Sequence, residues 1–287
     1  MLNDITKYNQ PAIENAKRAS FRVAAIQMAS GPSVSANLEE AARLIEEAAS
    51  QQAKLVVLPE YFCIMGMKDT DKLSIQEQPG EGQIQKFLSD TAKRLGIWLV
   101  GGSVPLASSE PNKVYNSCLV YADNGEQVAR YDKIHLFGLQ LGHEQYAEEK
   151  TIKAGNKVVT VDSPFGRIGL SICYDLRFPE LFRMMNNVDI ILAPAAFTAI
   201  TGRAHWEVLV RARAVENMAY VIAPGQGGYH VSGRETNGDS MIVDPWGVVM
   251  ERLPRGSGAV VATLDPEYQS SLRTNLPALD HRILQHC

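Results

Sequence analysis

The stretch IGLSICYDLRFPE at residues 168–180 carries the strongest structural signal in this sequence. Ile168–Ile172 is apolar and predicts a strand, and Pro179 suits the first turn of a helix. Cys173 therefore lies at a sharp strand-to-helix turn, at the sheet edge where sites in α/β proteins usually form. Backbone N–H groups at such a turn lower the pKa of a thiol and bind an oxyanion. This placement favours Cys173 as a nucleophile over the alternative, a buried structural thiol.

The other three cysteines have a structural interpretation. Cys118 lies inside a predicted strand and Cys63 just beyond one, where a small apolar side chain fits, and Cys287 is the last residue. Four cysteines in 287 residues are too few for a disulfide scaffold. This cysteine usage predicts a reducing, cytoplasmic location.

Outward from the Cys173 stretch, short β-branched runs alternate with amphipathic stretches, and the sequence has no internal repeat. The apolar spacing predicts helices at Asn37–Ser50, Gly82–Leu95 and Arg203–Met218. An Asn-Gly pair at 124–125 between two alternating runs predicts a β-hairpin. Hairpins mixed with strand–helix alternation predict an α/β fold of two sheets covered by helices.

We place one domain at residues 21–265, after a polar extension at 1–20 and before a polar arm at 266–287 that lies on the surface or across a subunit contact. The extension lacks the apolar core of a signal peptide, and the apolar runs are far shorter than the roughly 18 residues of a membrane span. Lys and Arg total 28 against 32 for Asp and Glu, a net charge of −4. That balance provides no general basic surface for nucleic acid.

Two charged residues follow apolar strands in the same way as Cys173 does. Glu60 comes directly after a run ending at Pro59, and Lys133 follows the strand that ends at Tyr131. Partial burial there raises the pKa of a carboxyl towards the range of a general base, and makes an ammonium effective on developing negative charge. Taken singly, each residue is equally typical of a structural ion pair.

A cysteine nucleophile needs a base, and histidine is its familiar partner. His135, His143 and His205 lie at loop or helix-start positions, so a Cys–His hydrolase is an alternative. The histidines lack zinc-ligand spacing, the sequence has no Cys-x-x-Cys, and no Gly-rich phosphate loop precedes a helix. We therefore expect no metal and no cofactor.

Three segments together resemble the nitrilase superfamily of carbon–nitrogen hydrolases: LPE at 58–60, YDKIHL at 131–136 and ICYDLRFPE at 172–180. Glu60 and Lys133 are 73 residues apart, and Lys133 and Cys173 are 40 apart, which matches the order and approximate spacing of that family. Further likeness to its Nit-type amidase branch comes from AHWE, RARA and DPWG, which begin at residues 204, 211 and 244. The resemblance implies a four-layer α-β-β-α sandwich that forms a homodimer, or a higher homo-oligomer, through helix faces, with the helix at 203–218 as a candidate contact.

The resemblance also implies roles for individual residues. Glu60 is the expected general base and Cys173 the nucleophile, while Lys133 stabilises the tetrahedral intermediate together with the backbone N–H of Tyr174. The family has a further glutamate between the Lys and Cys motifs, for which Glu148 is the best match. Glu144 and Glu149 stay open as alternatives for that glutamate.

The expected substrate-binding residues surround the same turn. Arg177 either forms an ion pair with Glu180 that holds the turn or faces an acidic substrate, since its planar fork suits carboxylates. Phe197, Thr198 and Thr201 follow a predicted strand at the place of a substrate wall. Trp206, on the amphipathic helix, is interpreted as core or interface.

The implied reaction is hydrolysis of a small carboxylate-bearing amide to acid and ammonia, with deaminated glutathione as the implied substrate. An omega-amidase acting on 2-oxoglutaramate (α-ketoglutaramate) is the neighbouring alternative, and a non-catalytic binding protein on the same fold is an alternative of another class. Tyr174-Asp175 after the nucleophile argues against a true nitrilase, in which Trp-Glu is usual. The chain has Gly238-Asp239-Ser240 where relatives often have Gly-His-Ser.

Overall fold

Two seven-stranded sheets make up the centre of this protein, seen in a computed structural model that describes residues 5–8, 18–141 and 144–284. The strands are, in chain order, β1 (Ile5–Tyr8), β2 (Phe21–Gln27), β3 (Ala53–Val57), β4 (Trp98–Val100), β5 (Val104–Ala107), β6 (Val114–Tyr121), β7 (Gln127–Asp132), β8 (Gly138–Leu141), β9 (Glu144–Ala147), β10 (Val158–Ser163), β11 (Gly166–Leu170), β12 (Ile190–Leu192), β13 (Tyr220–Ala223), β14 (Gly227–Tyr229), β15 (Glu235–Asn237), β16 (Ser240–Val243), β17 (Val249–Leu253) and β18 (Gly258–Leu264). The first sheet has the order β18-β2-β3-β4-β6-β5, with β7 also paired to β6. The second has the order β1-β10-β11-β12-β13-β16-β17.

Six α-helices accompany the sheets in the described part of the chain, and four of them cover the outer faces of the sheets. The six helices are α1 (Val34–Ser50), α2 (Asp71–Ser74), α3 (Gln83–Leu95), α4 (Pro179–Met185), α5 (Ala199–Asn217) and α6 (Pro266–Asn275). Helices α1 and α3 pack on the first sheet, and α4 and α5 pack on the second. Among these described helices, none is long and apolar enough to cross a bilayer.

Residues of β2 show why the layers stack in this order. Val23 and Ala25 point into the core between the sheets, whereas Ala24 and Ile26 point into the core beneath α1 and α3. Successive side chains of a strand point to opposite faces, so a continuous apolar run is buried on both. The four layers are therefore helix, sheet, sheet and helix, which confirms the predicted α-β-β-α sandwich.

Most predicted elements are present, with shifted ends. Helix α1 begins at Val34 because Ser33 caps it, and the predicted hairpin joins β6 to β7. Helix α5 begins at Ala199, four residues before the predicted start. The Thr198 hydroxyl accepts from the Thr201 N–H at 3.3 Å, which satisfies a donor that the first turn would otherwise leave unpaired. Thr201 therefore lies in the first turn of α5, and Thr198 is its N-cap.

The two terminal segments contribute more structure than the sequence indicates. Residues 5–8 of the predicted extension pair with β10 as a parallel strand. In the predicted C-terminal arm, α6 packs on its own chain: Arg273 donates to the Val188 and Met218 carbonyls at 2.6 and 3.0 Å and pairs with Asp189 at 3.0 Å. Residues 266–275 of the predicted arm therefore form a surface helix of their own chain, in which polar side chains satisfy carbonyls at the end of the second sheet.

Candidate active site

Lys133 is the centre of a buried group of charges. It directly follows β7, and its side chain is fully buried. Its Nζ donates to Glu60 Oε1 at 2.8 Å and to the Glu148 oxygens at 2.8 and 3.1 Å. Burial alone lowers the pKa of Lys133, but the Glu148 and Glu60 carboxylates outweigh it and hold that pKa well above its ordinary value. Lys133 is therefore a charged ammonium that its hydrogen bonds to Glu60 and Glu148 hold in place.

Glu60 lies three residues beyond β3, and its side chain is almost fully buried. Besides Lys133, the Asn116 amide donates to Glu60 Oε1, at 2.9 Å. The next residue, Tyr61, has a φ of 56°, which side-chain-bearing residues seldom adopt, and its N–H donates to the Ser103 hydroxyl at 2.9 Å. This bond helps hold the turn that directs the Glu60 carboxylate towards Lys133.

Glu148 completes the group from the segment between the Lys and Cys motifs. Its carboxylate accepts from Lys133, from the Tyr61 hydroxyl at 2.9 Å and from the Phe137 N–H at 2.7 Å. Burial raises the pKa of Glu148, but these donors, Lys133 above all, bring it below its ordinary value. Glu149 is exposed, and the side chain of Glu144 lies outside the described residues. Of the two described candidates, only Glu148 contacts Lys133.

Cys173 occupies a strained turn three residues beyond β11. Its φ is 51°, a left-handed conformation that costs a side-chain-bearing residue about 1–2 kcal/mol. Two hydrogen bonds hold the turn: the Cys173 N–H donates to the Pro194 carbonyl at 2.9 Å, and the Asp175 carboxylate accepts from the Ile172 N–H at 2.9 Å. A short 3₁₀ turn at Cys173–Arg177 and then α4 follow. This confirms the predicted sharp strand-to-helix turn.

The electrostatic environment of the thiol differs from the sequence expectation. Burial raises the pKa of Cys173, and the Glu60 carboxylate raises it further; Lys133 and the Ala196 N–H oppose this shift without overcoming it. The predicted lowering of the thiol pKa by backbone N–H groups is therefore wrong. Among the charged side chains, the Glu60 carboxylate has the largest effect on this thiol.

A small cavity brings together the predicted residues other than Lys133, which is not among its lining residues. Its lining includes Glu60, Glu148 and Cys173 together with every predicted substrate-binding residue, namely Tyr174, Arg177, Phe197, Thr198 and Thr201. The Arg177 guanidinium lies over the rings of Tyr174 and Phe197, at 5.6 and 5.4 Å from their centroids. A cation held by two aromatic walls beside the thiol suits an acidic acyl group.

A family model described as carbon-nitrogen hydrolase matches residues 22–274. The chain belongs to the carbon–nitrogen hydrolase family. It is 42% identical to a deaminated glutathione amidase from Synechocystis, over 92% of this chain and 98% of that protein. Its structure is similar to that of Saccharomyces cerevisiae Nit3, a member of branch 10 of the nitrilase superfamily, with a TM-score of 0.84, 33% identity and coverage of 93% and 98%. It is also similar to Caenorhabditis elegans NitFhit, with a TM-score of 0.86 and 35% identity over 93% of this chain and 66% of that chain.

The protein is therefore an amidase of the carbon–nitrogen hydrolase family. Its two described candidates for a histidine base, His135 and His205, have other partners. His135 stacks on Phe178 at 3.8 Å between ring centroids, and its Nδ1 lies 2.7 Å from Asp175 Oδ1. His205 is exposed and accepts from Arg177 at 3.1 Å. His143 lies outside the described residues. Neither described candidate for a Cys–His pair lines the cavity at Cys173.

Two structural interpretations from the sequence have different outcomes. Arg177 donates to His205 instead of forming the expected ion pair with Glu180, although the structure describes both side chains. Trp206 is fully buried, donates its indole N–H to the Asp239 carbonyl at 2.7 Å and packs against Phe197. The interpretation of Trp206 as core is confirmed.

Sequence reasoning missed two residues that shape this amidase site. Asp175 is fully buried, and besides the Ile172 N–H it accepts from the Tyr131 hydroxyl at 2.7 Å and the His135 N–H at 3.1 Å. It thus joins the Lys motif to the Cys motif. A carboxylate two residues after a nucleophile is the local signal that could have indicated this role. Arg234, which also lines the cavity, lies about 60 residues beyond Cys173 and has no comparable signal.

Proposed function

We propose that this amidase hydrolyses deaminated glutathione at the amide bond that joins its 2-oxoglutarate-derived acyl group to cysteinylglycine. The proposed mechanism uses Glu60, Lys133 and Cys173 and is assisted by Glu148. The observation that carries the mechanism is the Lys133 ammonium, which is held between the Glu60 and Glu148 carboxylates; both carboxylates line the cavity that contains the thiol. The substrate is supported by the 42% identity to the Synechocystis deaminated glutathione amidase over nearly the whole of both chains.

The first half of the reaction forms a thioester. Glu60 accepts the Cys173 proton as Sγ attacks the carbonyl carbon, and the oxyanion that develops is stabilised by the Lys133 ammonium and the Tyr174 N–H. Glu60 then passes that proton to the leaving nitrogen, the C–N bond breaks, and the amine departs. Because Glu60 both accepts and returns the proton, the carboxylate is regenerated for the second half.

The second half releases the acid. Glu60 removes a proton from water, the hydroxide attacks the thioester carbon, and Lys133 again faces the oxyanion. Collapse of this intermediate breaks the C–S bond, and the proton on Glu60 returns to the thiolate. Glu148 acts through Lys133: by accepting two of its hydrogen bonds, it fixes the ammonium and keeps it charged.

The leaving group depends on which amide is cleaved. Glutathione has only secondary amides, so cleavage of its deaminated form releases 2-oxoglutarate and the dipeptide cysteinylglycine. The ammonia expected from sequence is the product of primary amides such as 2-oxoglutaramate. In both substrates the acyl group carries a carboxylate, and we assign Arg177 to bind it, with Phe197, Thr198 and Thr201 as the wall of the acyl site.

The test measures 2-oxoglutarate released by purified protein from deaminated glutathione and from 2-oxoglutaramate, with a nitrile as a third substrate. We expect kcat/KM to be highest for deaminated glutathione, and the Cys173→Ala variant to show no turnover of any of them. Faster hydrolysis of 2-oxoglutaramate would assign the chain to the omega-amidases instead. Preferred turnover of the nitrile would contradict the amide mechanism itself.

We also propose that the protein is a homodimer that associates through α5. This helix exposes Ile200, Val208 and Val215, whose exposed fractions are 47%, 62% and 48%. Large apolar side chains grouped on one surface are typical of a protein interface. Sedimentation at micromolar concentration should show a dimer that Val208→Glu dissociates; a stable wild-type monomer would exclude this contact.

The cytoplasmic location stays a prediction. The described cysteines Cys63, Cys118 and Cys173 are free thiols, which supports a reducing compartment. Cell fractionation with an antibody to the protein tests the location directly.

A further inference from the structure

A second, larger cavity adjoins the one that holds the thiol. It has a volume of about 220 Å³ and lies between the loop that follows Tyr61 and the β8–β9 hairpin. Phe137, Glu148 and Arg234 line both cavities. A substrate with its scissile carbonyl at Cys173 could therefore extend past these three side chains into the larger space.

The charges on the walls of this larger cavity favour an anion. Lys68, Lys72 and Arg234 contribute three cations, against the carboxylates of Asp69 and Glu148. Glu148 is already bound to the Lys133 ammonium. The remaining excess of positive charge has no role in the mechanism described above.

Lys72 and Arg234 have hydrogen-bond donors that are not used within the described part of the chain. Among the described residues, Lys72 Nζ makes one hydrogen bond, to the Thr151 hydroxyl at 3.4 Å, and otherwise lies over the Tyr61 ring, 5.2 Å from its centroid. Arg234 donates from Nη2 to the Ala196 carbonyl at 3.1 Å, but its buried Nε has no partner within the described part of the chain. Buried donors are nearly always paired, so an unpaired one beside a cavity indicates a missing acceptor.

The titration of Lys72 agrees with that interpretation. Burial lowers the pKa of Lys72, and the Glu148 and Asp69 carboxylates only partly offset this effect. A bound carboxylate would stabilise the charged amine and raise this pKa again. An anionic ligand in this cavity would therefore stabilise the charged form of Lys72.

We propose that Lys72 and Arg234 bind the C-terminal carboxylate of the peptide that leaves, so that the larger cavity is a leaving-group subsite for amides of short peptides. This inference rests on the proposed function, which places the acyl carboxylate at Arg177. Arg177 lines the small cavity and not the larger one, so the two carboxylates of the substrate have separate cationic partners. The leaving group has two residues, which span roughly 7 Å when extended, so its far carboxylate lies well outside the small cavity.

The experiment compares three substrates in wild type and in Lys72→Met, with 2-oxoglutarate as the product measured throughout. Deaminated glutathione has the distal carboxylate, its glycine ethyl ester has the same peptide without the charge, and 2-oxoglutaramate has no peptide. For wild type we expect kcat/KM to be about 10- to 100-fold lower for the ester than for the free acid, the usual size of one charge-assisted hydrogen-bonding interaction. Lys72→Met should lose a similar factor on the free acid and much less on the other two substrates.

Lys86→Met is the matched control, because it makes the same substitution at an exposed lysine on α3 that pairs with Asp90. Arg234 lines both cavities, so Arg234→Lys should lower activity on all three substrates. Because it loses the geometry of the fork, it should also reduce the ratio of kcat/KM for the free acid to that for the ester. Equal losses on all three substrates in Lys72→Met would overturn the subsite, since they would indicate a general effect through Glu148. Failure of wild type to cleave deaminated glutathione would instead overturn the proposed function, and with it the subsite.

Discussion

Replacing Lys133 with methionine should destabilise the protein as well as inactivate it. Methionine has a similar length and no charge, so the variant leaves the Glu60 and Glu148 carboxylates facing each other without the ammonium that lies 2.8 Å from each. Removing one partner of a buried ion pair costs about 3–5 kcal/mol, because the remaining charge stays buried and unpaired. For a protein of this size that corresponds to a fall in Tm on the order of 10 °C.

The loss should also depend on pH. In wild type, the raised pKa of Lys133 contributes stability that is fully present below its unfolded pKa of about 10.4, and the lowered pKa of Glu148 contributes stability above about 4.3. Both contributions are therefore complete near neutral pH. Without Lys133, burial raises the pKa of Glu148 above its unfolded value, so the penalty is absent in acid and grows as the pH rises. The difference in Tm between wild type and variant should be larger at pH 8 than at pH 5.

Thermal unfolding followed by circular dichroism, together with an amidase assay, tests this reasoning. Lys133→Met/Glu148→Gln removes one of the two unpaired charges, so it should regain part of the lost stability and none of the activity. Lys86→Met, at an exposed pair, should change Tm by less than roughly 2 °C. If Lys133→Met matched the wild-type Tm at pH 8, or kept more than about a hundredth of wild-type kcat/KM, the buried ammonium would not have the role assigned to it.

Glu60→Gln removes both the proposed base and a carboxylate that raises the pKa of Cys173. Because burial, the larger cause of that raised pKa, persists, loss of the base should dominate and slow alkylation of Cys173 by iodoacetamide at neutral pH about 10-fold; equal or faster labelling by mass spectrometry would show that the thiol ionises without Glu60. In both proteins Cys63 and Cys118 should stay unlabelled, since both are fully buried and burial raises the pKa of each thiol. Asp175→Asn should lower the free energy of unfolding by about 2–3 kcal/mol. In wild type the carboxylate accepts from one O–H and two N–H donors, and in the variant the amide N–H groups would face some of those donors. An unchanged urea midpoint would contradict that role of Asp175.

The sequence by itself predicts the parts of the fold that depend on local periodicity. The helix at Gln83–Leu95, the hairpin between β6 and β7 and the turn at Cys173 all follow from apolar spacing or from turn residues. The structure adds that the apolar run in β2 is buried on both faces. Element ends are less predictable because capping bonds decide them, as Thr198 does for α5.

The order and spacing of the segments around Glu60, Lys133 and Cys173 are also sequence properties, and they were enough to indicate the family and its reaction. Only the tertiary structure decides which further groups meet them. Glu148 is distinguished from Glu149 by its contact with Lys133, and Arg234 reaches the site from a distant hairpin. The pKa of Cys173 rises where the sequence predicted a fall, because burial in the assembled sandwich outweighs the backbone N–H groups of its turn. Local pattern determines where a side chain leaves the backbone, whereas its charge state and its partners depend on desolvation and on contacts between segments far apart in the chain.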